Sequence, residues 1–167
     1  MEGSGNGKKR NAAVDLLEFV RESNRIEGIV REPTAQELTA TRAFLALSCL
    51  TVGDLSALVA VLQPGAALRT RRGMDVRVGA YVPPPGGPEI RGRLEQLLVE
   101  VTLAEATRGG LTPYAAHLRY ENLHPFTDGN GRSGRAVWAW QMRRVGSDIP
   151  LGFLHQFYYQ ALAESGR

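Results

Sequence analysis

The chain has 167 residues, a net charge of +3 and a single cysteine, Cys49. That length fits one domain and buries enough surface to hold a core without disulfides or a structural metal. One cysteine excludes an internal disulfide, and no CxxC or Cys/His cluster suggests zinc.

The opening MEGSGNGKKR has basic residues but no apolar signal core behind them, and it reads as a disordered tail over 1–10. Residues 11–27 have a helical pattern, with Val14, Leu17 and Asn24 on one side and Leu16, Phe19 and Ile26 widening the apolar face; Gly28 is its stop. Pro33 breaks the chain. TAQE from Thr34 is a capping box, in which the threonine oxygen takes an amide three residues on and Glu37 reaches back. The helix it starts is expected to run to about Cys49. In the apolar run FLALSCL, Cys49 is expected to pack in the core of a cytoplasmic protein. Asp54 is expected to cap a short helix ending at QPG.

LRTRRGMDVRVGAYVP alternates weakly, with Val76 and Val78 on an extended run and Gly73 at a turn, and predicts a small β-hairpin. PPPGGP ends it. Ile90, Leu94, Leu97, Leu98, Val101 and Ala104 recur at helical spacing, so 88–107 is an amphipathic helix. Thr112 with Pro113 marks the next start, where proline's missing N–H costs nothing. That helix runs to about Asn122. RSGRAVWAWQMRR and LGFLHQFYYQALAES are two further helices. The fold class is all-α, six to eight helices with a β-hairpin appendage. No apolar run reaches the ~18 residues of a membrane span. The arginines are scattered except around Arg69, Arg71 and Arg72, which read as a solvated hairpin edge or a patch that steers an acidic target. No helix carries a base-reading stripe, which argues against nucleic acid as a partner.

HPFTDGNGRSGR, His124 to Arg135, holds most of the chemistry. A loop opening onto a helix presents amides without internal partners, and the helix dipole adds partial positive charge there. Such a terminus binds anions, and Gly129 and Gly131 let the backbone approach closely. Arg132 and Arg135 emerge about one turn apart and each can fork onto phosphate oxygens. That much positive charge suits a triphosphate. Asp128 would repel it unless a cation intervenes, and Mg²⁺ favours one or two carboxylates with phosphate oxygens. His124, kept out of the right-handed helical region by Pro125, can act as a general base. Phe126 alternates away from it and is expected to plug the core. His117, His155, Trp138, Trp140, Tyr158 and Tyr159 read as packing residues.

At these residues the sequence resembles the Fic family, whose motif HxFx[D/E]GNGRxxR is matched at every fixed position. The resemblance implies a Fic-type helical domain over 31–167 that transfers AMP from ATP to a Ser, Thr or Tyr hydroxyl of a protein. It implies His124 as base, Asp128 on Mg²⁺, and Asn130 with the amides around Gly129 and Gly131 as a phosphate cradle. Arg132 would bind the β-phosphate and Arg135 the γ-phosphate. The hairpin, at about 69–82, would be the flap that clamps the target segment by strand addition. The related Doc toxins carry lysine where this chain has Gly131, and they phosphorylate. SNRIEG fits the family's inhibitory pattern [S/T]xxxE[G/N] at Ser23, Glu27 and Gly28. The resemblance thus implies an inhibitory helix over 11–30, with Glu27 on Arg135 in a buried ion pair. Removal of AMP, another phosphate or nucleotide transfer on the same site, and a non-catalytic nucleotide-binding module are the alternatives.

Overall fold

The computed structural model describes residues 6–104 and 109–146. Among them are six helices and no strand: α1 (Asn6–Ile26), α2 (Ala35–Leu45), α3 (Val52–Leu62), α4 (Glu89–Leu103), α5 (Pro113–Leu123) and α6 (Asn130–Arg144). The last expected helix, with His155, Tyr158 and Tyr159, lies outside the described residues.

The helix starts follow from local chemistry. Thr34 caps α2 by accepting from the Glu37 amide, and Glu37 returns the bond to the Thr34 amide at 2.7 Å. Thr51, not Asp54, caps α3; Asp54 is the third residue of the same kind of box, its carboxylate accepting from the Thr51 amide. Thr112 caps α5, with Pro113 in its first turn. α1 begins at Asn6, within the stretch expected to be a tail.

α6 is the central element. It touches α1, α2, α3 and α5, and Ala136, Val137, Ala139 and Trp140 are buried in the shared core. A helix buried on nearly all sides needs no clean amphipathic stripe. The core continues through Leu55, Leu58, Val59, Leu94, Leu97, Leu98 and Tyr120. The Trp140 indole N–H donates to the Leu47 carbonyl at 2.9 Å, fixing the turn after α2.

Two local expectations are corrected. Cys49 is exposed. α2 stops at Leu45, so the apolar run leaves the helix before Cys49 could follow Phe44 and Leu45 inward. The hairpin over 69–82 is reduced to one antiparallel bridge, Val78 with Tyr81, closed by reciprocal backbone bonds of 3.0 and 2.9 Å around Gly79 at φ 58°. Arg77 and Val82 on its flanks are exposed, and a two-stranded ribbon without a buried face is marginal.

Candidate active site

The loop between α5 and α6 is tightly specified. His124 ends α5 in the left-handed conformation, φ 48° and ψ 62°, with its amide on the Tyr120 carbonyl at 2.9 Å. It is the one non-glycine residue with positive φ among the described residues. Phe126 is buried, and Asn130 clasps its backbone from both sides: the Phe126 amide donates to Asn130 Oδ1 at 2.9 Å, and Asn130 Nδ2 donates to the Phe126 carbonyl at 2.8 Å. The Asn130 side chain therefore shapes the loop. Gly129 opens α6 at φ 75° and offers no side-chain acceptor to the first-turn amides. Tyr120 and Ser133 hydroxyls bond at 2.7 Å between α5 and α6, which fixes the two helices' registers.

His124 is mostly buried, with Nδ1 3.9 Å from the Glu121 carboxylate. Glu121 also lies 4.0 Å from His117 Nε2, so the expectation that His117 packs is met by a His–Glu–His row along α5. Asp128 is exposed; its Oδ1 accepts from the Gly129 amide at 2.6 Å and its Oδ2 from Gln63 Nε2 at 2.8 Å. The other end of the Gln63 amide accepts from Arg132. One glutamine thus bridges the acidic and the first basic residue of the loop. Its side chain leans over Gly129, where a β-carbon would meet Gln63 Cβ at 2.9 Å.

Arg132 and Arg135 are both buried. Burial pushes the Arg132 guanidinium down from its ordinary value, and the charges of Glu27 and Glu37 push it back up. Glu37 stands 3.9 Å from Arg132, while Arg31 holds the same carboxylate through two bonds of 2.8 and 2.9 Å. The Arg31 bonds and the cap bonds from Thr34 draw the Glu37 carboxyl down to about 2, against the cost of burial.

Arg135 is committed to α1. Its Nε donates to Ser23 Oγ and its Nη2 to the Ser23 carbonyl, each at 2.9 Å, and Nη2 also donates to Glu27 Oε1 at 2.7 Å. α1 ends at Ile26, and Gly28 at φ 75° turns the chain so that Glu27 projects from the helix end. The pair is less enclosed than expected. The Arg135 side chain is 1% exposed, whereas that of Glu27 is 39% exposed. The ion pair alone thus sits on the scale of surface pairs, up to about 1 kcal/mol.

Sequence reasoning missed three residues. Gln63 and Glu37 reach the site from α3 and α2. Arg69, taken as a hairpin-edge residue, is fully buried beneath His124, while Arg71 and Arg72 are exposed. Its Nε donates to the His124 carbonyl at 2.7 Å.

A model of the Fic/DOC family matches residues 50–142, more than half the chain. The chain belongs to the Fic/DOC family. Nucleotide transfer, including AMPylation, is the general activity of this family. The matched span contains the whole loop and α3 to α5, with most of α6. α1, the turn after it and α2, which supply Ser23, Glu27 and Glu37, lie outside it. No helix among the described residues is long and apolar enough to cross a membrane.

Proposed function

We propose that this Fic/DOC protein transfers AMP from ATP to a hydroxyl of a target protein, and that α1 restrains it. The observation that carries the reading is the convergence at one end of α6. His124 and Asp128 lead into a helix start without a side-chain cap, and Arg132 and Arg135 follow within its first two turns.

The donor set suits Mg²⁺. Among the described residues no group of three His, Cys, Asp or Glu side chains could hold a metal ion. An exposed lone carboxylate, Asp128, fits an ion that completes its shell with phosphate oxygens and water. When bound there, Mg²⁺ supplies charge neutralisation for the polyphosphate. The amides of Asn130, Gly131 and Arg132 suit a phosphate, and Arg132 and Arg135 suit the β- and γ-phosphates.

The Nδ1 edge of His124 is buried toward Glu121, and in this reading Nε2 would face the target hydroxyl. His124 would accept the hydroxyl proton as the oxygen attacks the α-phosphorus. The bond from that phosphorus to the bridging oxygen then breaks, and pyrophosphate leaves. The Glu121 carboxylate would stabilise the imidazolium that forms. Loop amides would hold the charge developing on the α-phosphoryl oxygens. In this reading Glu27 occupies the guanidinium that the γ-phosphate needs and repels the phosphate, so ATP binds unproductively. The target segment would lie along 69–82.

The test compares the wild-type chain, Glu27→Gly and Glu27→Gly with His124→Ala, each incubated with host lysate, Mg²⁺ and labelled ATP. Strong labelling by Glu27→Gly alone, with an AMP mass on a hydroxyl residue, is the expected result. Equal labelling by the first two forms refutes the restraint. Labelling that survives loss of His124 refutes the chemistry, and an added mass of phosphate, UMP or GMP would identify a different transfer.

A further inference from the structure

The Arg69 side chain ties together two segments that are distant in sequence. One is the pair of carbonyls at the end of α5: Nη2 donates to Leu123 at 3.0 Å and Nε to His124 at 2.7 Å. The other is the two ends of the 74–84 segment: Nη1 donates to the carbonyls of Met74 at 3.1 Å and Pro84 at 2.9 Å. The Arg69 backbone extends the same connection. Its amide donates to the Pro125 carbonyl and its carbonyl accepts from the Gly87 amide, both at 2.9 Å.

A cation suits this place. The last carbonyls of a helix have no internal donors, and the dipole concentrates negative charge there. Asp75 is the countercharge, and its carboxylate also accepts from the Gly86 amide at 2.8 Å. Gly86 is pressed so close to the Met74 carbonyl that a β-carbon would lie 2.7 Å from it. The base of the 74–86 segment is therefore shut around the guanidinium. Tyr81, at the tip, donates its hydroxyl to the Asn122 carbonyl at 2.8 Å, so the tip also leans on the end of α5.

We propose that Arg69 is a positioning residue that couples docking of the target segment on 74–84 to the placement of His124. The proposal rests on the nucleotide-transfer reading for what His124 does, and on the structure for the coupling. A planar fork of donors serves four carbonyls in fixed directions. A lysine ammonium has three donors and no such plane, so it keeps the charge but not the geometry. The Arg69 side chain bonds to the carbonyls of Met74, Pro84, Leu123 and His124 and not to the phosphate-binding arginines proposed above, so nucleotide binding and group transfer should respond differently to its loss.

The experiment uses the full chain with Glu27→Gly, and adds Arg69→Lys or Arg69→Gln. Three quantities are read: affinity for Mg–ATP, the rate of self-labelling from ATP, and amide hydrogen exchange. The expected result for Arg69→Lys is Mg–ATP affinity within about twofold and self-labelling slowed at least tenfold. Exchange should accelerate together in 74–86 and 123–127 but not in α3 or α4. Unchanged labelling overturns the proposal. So does a loss of ATP affinity that matches the loss of rate, or global unfolding of both variants, since either would mean a purely structural role. If the Glu27→Gly form labels nothing, the transfer reading fails, and exchange alone decides the coupling. Acceleration in both segments then supports it; acceleration in one or neither overturns it.

Discussion

The Glu27 carboxylate rests on the backbone of Gly131: a β-carbon at that glycine would lie 2.1 Å from Glu27 Oε1 and 3.2 Å from Arg135 Nη1. Gly131 therefore matters to the α1 contact as well as to any phosphate. Glu27 is the free end of a flexible, partly exposed side chain, so an alanine at 131 would turn it aside instead of distorting α6. Gly131→Ala in the wild-type chain should then lose the Arg135–Glu27 pair, a cost of up to about 1 kcal/mol that alanine's better helix propensity largely offsets, leaving the variant within about 0.5 kcal/mol of wild type. In a Glu27→Gly background the same change should stabilise by roughly 0.5–1 kcal/mol. Urea unfolding of the four forms measures the cycle, and an equal change in both backgrounds would disprove the steric link.

The loop was legible in the sequence because its residues are contiguous and their spacing states the geometry. His124 before Pro125, two arginines one turn apart, and glycines at the helix start need no distant partner to be read. Ser23 and Glu27 were readable only through the family resemblance, since a serine and a glutamate at that spacing occur on many surface helices. Gln63, Glu37 and Arg69 were not. Gln63 lies 65 residues from Asp128, and Arg69 lies 55 from His124, so only tertiary packing brings them together. An arginine in a weakly alternating stretch is read as solvated by default; four backbone carbonyls converging on it leave no local pattern. Glu37 announced its cap but not its second contact, with Arg132. The weak alternation around Val76 and Val78 was over-read as strands because alternation does not reveal whether any face is buried.

Gln63 binds Asp128 and Arg132 at once, and both groups are assigned above to Mg²⁺ and phosphate. It therefore competes with the ligand for them. Gln63→Ala in the Glu27→Gly background should raise Mg–ATP affinity by about twofold to tenfold, or up to roughly 1.4 kcal/mol. Titration calorimetry reads this directly. A threefold or greater weakening would mean that Gln63 supports the bound ligand.

Asn130 satisfies both backbone groups of buried Phe126, so its removal strands a donor and an acceptor together. Asn130→Ala should cost roughly 2–4 kcal/mol, at about 1–3 for each buried group left unpaired. The melting temperature should fall by roughly 5–15 °C. Asn130→Asp keeps the acceptor for the Phe126 amide and loses the donor to its carbonyl, so it should fall between. Scanning calorimetry of the three forms gives the order, and an Asn130→Ala form as stable as wild type would show that the clasp is dispensable.

Glu37 gives the chain an acid-sensitive element. Its carboxyl is depressed from 4.5 to about 2 in the folded state, chiefly by the Arg31 bonds. A depressed acid stabilises the fold above its unfolded pKa, and the contribution is lost as pH falls through the folded pKa. The window is therefore about pH 4.5 down to about 2. A shift of that size corresponds to at most about 3 kcal/mol. Arg31 is half exposed, with 51% of its side chain accessible, so screening by water reduces this to roughly 1–2 kcal/mol. Glu37→Gln should be destabilised by that amount at pH 7, and the gap from wild type should narrow from pH 4.5 downward. Because Glu37 also faces Arg132, the variant should leave that guanidinium more electropositive and bind inorganic pyrophosphate more tightly at neutral pH. Urea midpoints at pH 7 and 3, with pyrophosphate titration at pH 7, test both halves. A stability gap that stays constant with pH would mean that the Glu37 charge contributes nothing and only its cap bonds matter.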